Sequence, residues 1–392
     1  MDSQNALTRV PGFRAAGVAC GLKESGRKDL ALVVADTPCV WGAVFTTNAF
    51  QAAPVLYDKA LLVRSVGRDL RGVVINAGIA NACTGEAGLR HAEAVARRAE
   101  SLLRLPPDSI AVMSTGVIGA PLPVEKVAKG LAQAAEALSA EGGADAAEAI
   151  LTTDTVPKTA FRRVQMGDRH ISIGGMAKGS GMIHPNLATM LALLVTDAPL
   201  TPTTLDRALR AAVRLSFNRI SVDGDTSTND TVLLMASGAA GETPLREGEL
   251  DAFTAALTEV CISLAKQIAR DGEGATKLVE IRVTGAWSEE EAAAAGAAIA
   301  TSPLSKTALF GNDPNWGRFL AAIGRSGATV DPFQVSLWLQ TAGGQVQLVG
   351  QGEPLPFDAA ALRRALEASA EVTLIADLGV GSAEATCWTC DL

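Results

Sequence analysis

The sequence predicts an α/β chain in α+β layers. Three observations carry this. Strand-like and helix-like segments mix in both halves, several apolar segments neighbour each other across short glycine turns, and no long linker interrupts the 392 residues. Such a mixture suits layered sheets and helices better than a purely parallel sheet, and the length is enough for two compact domains.

In order, Leu30 to Thr47 reads as a strand, a turn at Asp36-Thr-Pro38 and a second strand. Val73–Gly78 is a buried strand leading into a polar loop to Gly85. Glu86 to Leu105 has the spacing of an amphipathic helix, with arginines between its apolar positions. Ile110 to Met113 is a strand running into Ser114-Thr-Gly-Val-Ile-Gly119. Pro121 to Ile150 is helical with a break at Gly142-Gly143, and Lys158–Val164 with His170–Gly174 forms a hairpin around Gly167-Asp168.

Met190–Val195 is an apolar strand. Then come a helix over 203–215, a strand over 231–235, a helix over 250–270, a strand over 277–285 and an Ala-rich helix over 288–300. Phe333–Gln340 and Val346–Gly350 make a hairpin around Gly343-Gly344, followed by a helix at 359–368 and a strand at 372–377.

Hydrophobic residues make up 48% and charged residues 19%, the balance of a globular protein with a large core. The net charge of -8 and the lack of a Lys/Arg cluster exclude nucleic acid as the main partner, since phosphate binding needs a concentrated basic surface. Arg97-Arg98 and Arg162-Arg163 read as solvated faces. Met1-Asp-Ser-Gln-Asn-Ala6 lacks the pattern of a signal peptide and no apolar run approaches the roughly 20 residues of a membrane span, so the expectation is a cytoplasmic chain with no membrane partner. The one CxxC, Cys387-Trp-Thr-Cys390, has no second pair and no His-x(3–5)-His companion, and reads as two packed thiols.

The stretch from Lys178 to Ala198 looks built for chemistry. A lysine and a glycine-rich turn lead to a small-residue junction, Ala188-Thr189, and then to the apolar strand. A threonine hydroxyl is a weak nucleophile unless a base takes its proton, and none of His91, His170 and His184 comes with a triad partner. A threonine at a new chain N-terminus supplies its own base, the α-amino group with a pKa of about 7.7 to 8, which requires a cut before Thr189. Locally, the pattern also fits an ordinary loop entering a core strand.

Other constellations have equally plain local readings. Thr115-Gly116 follows a strand, and a hydroxyl plus an adjacent N–H could stabilise a developing oxyanion, although a turn glycine explains it alone. The loop Asn218–Asp230 resembles a calcium loop at Asp223, Asp225 and Ser227 but lacks its glycine and terminal glutamate, and reads as hydrogen-bonded polar loop; no metal is expected. Asp271-Gly-Glu-Gly274 could bring Glu273 to a ligand or be only a turn, and the same holds for Asn312-Asp-Pro-Asn-Trp-Gly-Arg318. Gly379-Val-Gly381 lacks the third glycine and the acidic partner of a dinucleotide loop.

These stretches occur together, and the chain closely resembles the glutamate N-acetyltransferase/ornithine acetyltransferase family of arginine biosynthesis. The resemblance runs nearly end to end. It passes through Gly12-Phe-Arg-Ala-Ala-Gly-Val18, Thr46-Thr-Asn48, Asn81-Ala-Cys-Thr-Gly85, Ser114–Gly119, Thr152-Thr-Asp-Thr155, Gly174–Met182, Ser221–Asp230 and Asn312–Arg318.

The resemblance implies the self-processing, N-terminal-threonine fold of that family, with a second, smaller α/β lobe. It makes Thr189 the nucleophile, which first attacks the Ala188 carbonyl and divides the chain into an alpha fragment, 1–188, and a beta fragment, 189–392; these are fragments rather than independent domains. The acetyl group of N2-acetylornithine then passes through Thr189 to glutamate in a ping-pong cycle. Thr115 and Gly116 match the oxyanion pair, while Thr152, Lys178, Thr189 and Glu273 match substrate-binding positions, a cation suiting a carboxylate and an anion an amine. No cofactor is implied, acetyl-CoA is a second candidate donor, and two of each fragment are expected to associate. Family members usually continue past the equivalent of Cys390-Asp-Leu392 with an Asn and a Thr or Ser that contact substrate, and the sequence read here stops before them. The alternative is a self-processed amidohydrolase or aminopeptidase that gives the acyl group to water; a third reading is an uncleaved amino-acid-binding protein.

Overall fold

The computed structural model describes residues 5–184 and 190–392. The chain forms two compact units: residues 5–179, 190–218 and 225–264 make the first, and 180–184, 219–224 and 265–392 the smaller second.

The elements of the first half are β1 (Phe13–Val18), β2 (Leu30–Phe45), α1 (Ala53–Ser65), β3 (Leu70–Ile79), α2 (Gly85–Leu103), β4 (Ile110–Val117), α3 (Val124–Ala137), α4 (Gly143–Ala149), β5 (Lys158–Met166) and β6 (Arg169–Lys178). After the junction come β7 (Leu191–Thr196), α5 (Pro202–Arg214), β8 (Ile220–Ser221), β9 (Thr231–Ala236) and α6 (Glu247–Arg270). Among the described residues the first unit holds an eight-stranded mixed sheet in the order β4-β3-β2-β9-β7-β6-β5, with β1 paired to β2.

The long strand β2 corrects one expectation. Asp36-Thr37-Pro38 does not reverse the chain; it is an exposed irregularity within a single 16-residue strand. Before it, β2 pairs with β3; after it, Val40 to Phe45 pair with β9. A bulge lets a strand bend and change partners without ending, and the apolar residues on both sides stay buried. β1 and α1 also lie outside the sequence reading, although Pro54 at the start of α1 is a helix-start signal.

Helices cover the sheet where small residues permit. Thr201 opens α5 with a capping box ahead of Pro202, and the helix packs on β2 where a Cβ at Gly42 would lie 2.7 Å from Leu205. In β6 the Gly174-Gly175 pair is squeezed from both sides. A Cβ on Gly174 would sit 2.1 Å from the Ala6 carbonyl oxygen, and one on Gly175 within 3 Å of Leu264 of α6. Among the described residues α6 is the one helix long and apolar enough to cross a membrane, yet Phe253, Leu257, Val260, Cys261 and Leu264 are buried, as in a core helix.

The second unit adds β10 (Leu278–Ala286), α7 (Glu289–Ala300), α8 (Pro303–Phe310), α9 (Trp316–Gly324), β11 (Ser336–Thr341), β12 (Gly344–Gly350), β13 (Glu353–Pro354), α10 (Ala359–Glu367), β14 (Glu371–Asp377) and β15 (Ala383–Cys390). Its mixed sheet runs β13-β12-β11-β14-β10-β15-β8. Ser288, Ser302 and Asp358 cap α7, α8 and α10 through their side-chain oxygens. The core joins Val279, Ile281 and Val283 of β10 to Ile299, Phe319 and Leu374. Cys387 and Cys390 are three apart on β15 and so face opposite sides of the sheet; burial pushes the Cys387 thiol up to about 11 and raises Cys390 as well. They are two packed thiols, as expected.

Candidate active site

The first-unit sheet aligns several of the singled-out stretches at one strand end. Lys178 ends β6 opposite Leu191, the first residue of β7; Leu191 faces Thr231 at the start of β9, and Thr231 faces Phe45 at the end of β2. The amide of Thr46 donates to the Asp230 carbonyl at 2.9 Å, and the amide of Thr231 donates to the Met190 carbonyl at 3.1 Å. Pairing alone therefore brings Phe45, Lys178, Leu191 and Thr231 to one row, and Thr46, Met190 and Asp230 to the next, one residue beyond. Ala188 and Thr189 lie outside the described residues, but Met190, bonded to Thr189, is within the second row.

Thr115 and Gly116 sit near the end of β4, which extends past Met113 to Val117. Gly116 has φ +127°, faces Gly78 with φ +114°, and a Cβ there would lie 2.2 Å from the Gly78 carbonyl carbon. Two strands approach too closely for a side chain, so glycine is required. Asn229 fastens the same place: its Nδ2 donates to the carbonyls of Ala80 at 2.7 Å and Ser114 at 2.8 Å, and Ser114 Oγ donates to Asn76 Oδ1 at 2.6 Å.

Lys178 is buried, and its Nζ donates to Thr115 Oγ1 at 3.3 Å. On its other side it lies 3.9 Å from Asp154 Oδ2. Asp154, fully buried, also receives Lys158 Nζ at 2.7 Å and the Gly179 amide at 2.6 Å on Oδ1, and the Thr152 amide at 3.0 Å and hydroxyl at 3.4 Å on Oδ2. Burial by itself raises the Asp154 carboxyl, but the charges of Lys178 and Lys158, with the hydrogen bonds from Lys158 and Thr152, outweigh it and hold it down at about 2. Three sequence-singled positions, Thr115, Thr152 and Lys178, are thus joined through one carboxylate.

Sequence reasoning missed Asp154 and Lys158. They meet Lys178 because β5 pairs with β6, with Lys158 opposite Ala177. It also gave Asp230 no role. This carboxyl accepts the Met190 amide at 2.9 Å on Oδ1, and Oδ2 is buried with no hydrogen-bond partner among the described residues. Burial raises its pKa well above the usual range, against the pull of the Met190 amide and the Lys178 charge.

Glu273 lies in the second unit, in the turn after α6. Its amide donates to the Ser180 carbonyl at 3.0 Å, and a Cβ on Gly181 would come within 2.7 Å of its Oε1, so that glycine leaves room for the carboxylate. Asp223 accepts the amides of Met182 and Ile183, the latter at 2.9 Å, which makes it part of a hydrogen-bonded polar loop.

The ArgJ family model matches residues 14–392. The chain belongs to the ArgJ family. An arginine biosynthesis bifunctional protein ArgJ from Symbiobacterium thermophilum is 51% identical over 390 residues, covering 98% of this chain and 95% of its own. The protein of the same name from Thermus thermophilus is 50% identical over 385 residues, 98% and 96% of the two chains. A solved ornithine acetyltransferase from Mycobacterium tuberculosis, complexed with ornithine, is 39% identical with a TM-score of 0.41, covering 46% of this chain and 95% of its own. The family resemblance carried by the motifs is therefore met along almost the whole sequence.

Proposed function

We propose that this ArgJ-family chain transfers the acetyl group of N2-acetylornithine to glutamate, giving ornithine and N-acetylglutamate in arginine biosynthesis. The observation that carries the reading is the match to ArgJ over residues 14–392, with relatives at 51% identity sharing nearly the full length. The alternative of a hydrolase is not favoured.

The residues divide the chemistry as follows. The Thr189 hydroxyl attacks the Ala188 carbonyl, the peptide bond gives way to an ester that water hydrolyses to cut the chain, and the freed α-amine serves as base when the Thr189 hydroxyl attacks the acetyl carbonyl and ornithine leaves. Thr115 and Gly116 stabilise the negative oxygen that develops, and glutamate's amine then removes the acetyl group. Lys178 receives a substrate carboxylate beside Thr152; Glu273, on the second unit, is proposed as a further substrate residue on the resemblance. A cytoplasmic assembly of two of each fragment and the use of acetyl-CoA as a second donor belong to the same proposal.

Purified protein incubated with N2-acetylornithine and glutamate tests this. N-acetylglutamate and ornithine in equal amounts are expected; acetate and ornithine without N-acetylglutamate would contradict it.

A further inference from the structure

A buried ion pair is a poor way to stabilise a fold. Both side chains lose their hydration, and well-packed apolar residues often do as well or better in the same place. Asp154 and Lys158 are nevertheless both completely buried, 2.7 Å apart, at the start of β5. Asp154 does not stop at that pair: its two oxygens also take the Gly179 amide, the Thr152 amide and hydroxyl, and the neighbourhood of Lys178 Nζ. One carboxylate thus faces two ammonium groups. Without Lys158, the Asp154 charge would be matched by Lys178 alone; with it, the three side chains carry one positive charge in excess, next to Thr115.

We propose that Asp154 and Lys158 are positioning residues for acyl transfer: Asp154 holds Lys178 against Thr115 and fixes Thr152, and Lys158 offsets Asp154 so that Lys178 keeps its attraction for an amino-acid carboxylate. The inference rests on the acetyl-transfer reading and deepens it. It gives a role to a buried ion pair in a place where apolar packing would serve the fold.

The test uses the full chain and three variants, Lys158→Met, Asp154→Asn and the double variant. Rates are normalised to the cleaved fraction on denaturing gels, and melting midpoints are measured in parallel. Lys158→Met leaves Asp154 opposed to Lys178 alone, so KM for glutamate and for N2-acetylornithine rises roughly tenfold or more with a smaller change in kcat. Asp154→Asn removes the anchor and lowers kcat/KM by about a hundredfold. The double variant restores the single excess charge, so its KM falls back toward wild type relative to Lys158→Met. A purely structural pair would shift melting midpoints and leave KM unchanged.

Folded Lys158→Met with both KM values within about twofold of wild type would overturn the inference. If that variant does not fold, the double variant decides: wild-type kcat and KM together overturn the inference, and a kcat lowered by loss of the Asp154 anchor with KM near wild type, in a folded protein, supports it. Failure of both to fold assigns the pair to the fold and overturns it equally. A wild type that makes no N-acetylglutamate defeats the acetyl-transfer reading instead.

Discussion

Asp230 accepts the amide of Met190 through Oδ1 at 2.9 Å, while its equally buried Oδ2 meets no hydrogen-bond partner among the described residues. The contact ties the entry of β7, one residue after Thr189, to the end of the polar loop that precedes β9. Burial raises the Asp230 carboxyl well above its ordinary 3.8, so the fold prefers the protonated acid. A carboxyl raised in the fold adds stability that is present below the unfolded value and lost as pH rises through the folded one. Asp230→Asn, which keeps an acceptor for Met190 and cannot ionise, should match wild-type stability at acid pH and lose less of it as pH rises above about 4. Asp230→Ala should cost about 1–3 kcal/mol for the unpaired amide. Thermal unfolding across pH reads both, and an Asn variant with the wild-type slope would refute the assignment.

Asp154 titrates in the opposite sense. Its carboxyl is depressed to about 2, so its contribution is complete above the unfolded value near 3.8 and disappears as pH falls toward 2. Wild type should lose about 2 kcal/mol through this group over that interval. The Asp154→Asn/Lys158→Met protein should show a shallower acid limb in denaturant titrations at pH 4 and below.

Gly116 has no room for a methyl group. With φ +127° and a Cβ 2.2 Å from the Gly78 carbonyl carbon, Gly116→Ala has to push β4 away from β3. A loss of roughly 2–4 kcal/mol in stability is expected, with kcat falling beyond what the unfolded fraction explains. A variant with wild-type stability and activity would show that the close approach is dispensable.

Thr115→Val removes a hydroxyl while keeping the branched shape of a strand residue. If that hydroxyl faces the developing oxyanion, kcat should fall about 10²–10³-fold with KM little changed. Thr115→Ser should retain most of the rate. Equal losses in both would point to packing instead.

Much of the fold was legible because its signals are local. The apolar run of β7, the Gly167-Asp168 turn between β5 and β6, and the apolar stripe of α6 all follow from residue spacing. By sequence β2 reads as two strands, because Asp36-Thr37-Pro38 has turn chemistry, and only pairing with β3 on one side and β9 on the other shows a bulge. At the site, Thr115, Thr152 and Lys178 could be named from motifs. Asp154 could not be given its role, since it depends on Lys158 and Gly179 arriving from two paired strands, and Asp230 depends on strand register with β7. Long-range pairing, which no local pattern encodes, supplies those contacts.

The central claim is that acetyl transfer runs through Thr189 at a newly made chain end. Intact-mass analysis of the purified protein, before and after incubation with N2-acetylornithine in the absence of glutamate, tests it most directly. The expected result is two fragments, 1–188 and 189–392, with one acetyl group appearing on Thr189 of the second and leaving when glutamate is added, while Thr189→Ala stays a single, inactive chain. An uncut wild-type chain that forms N-acetylglutamate at full rate would contradict it.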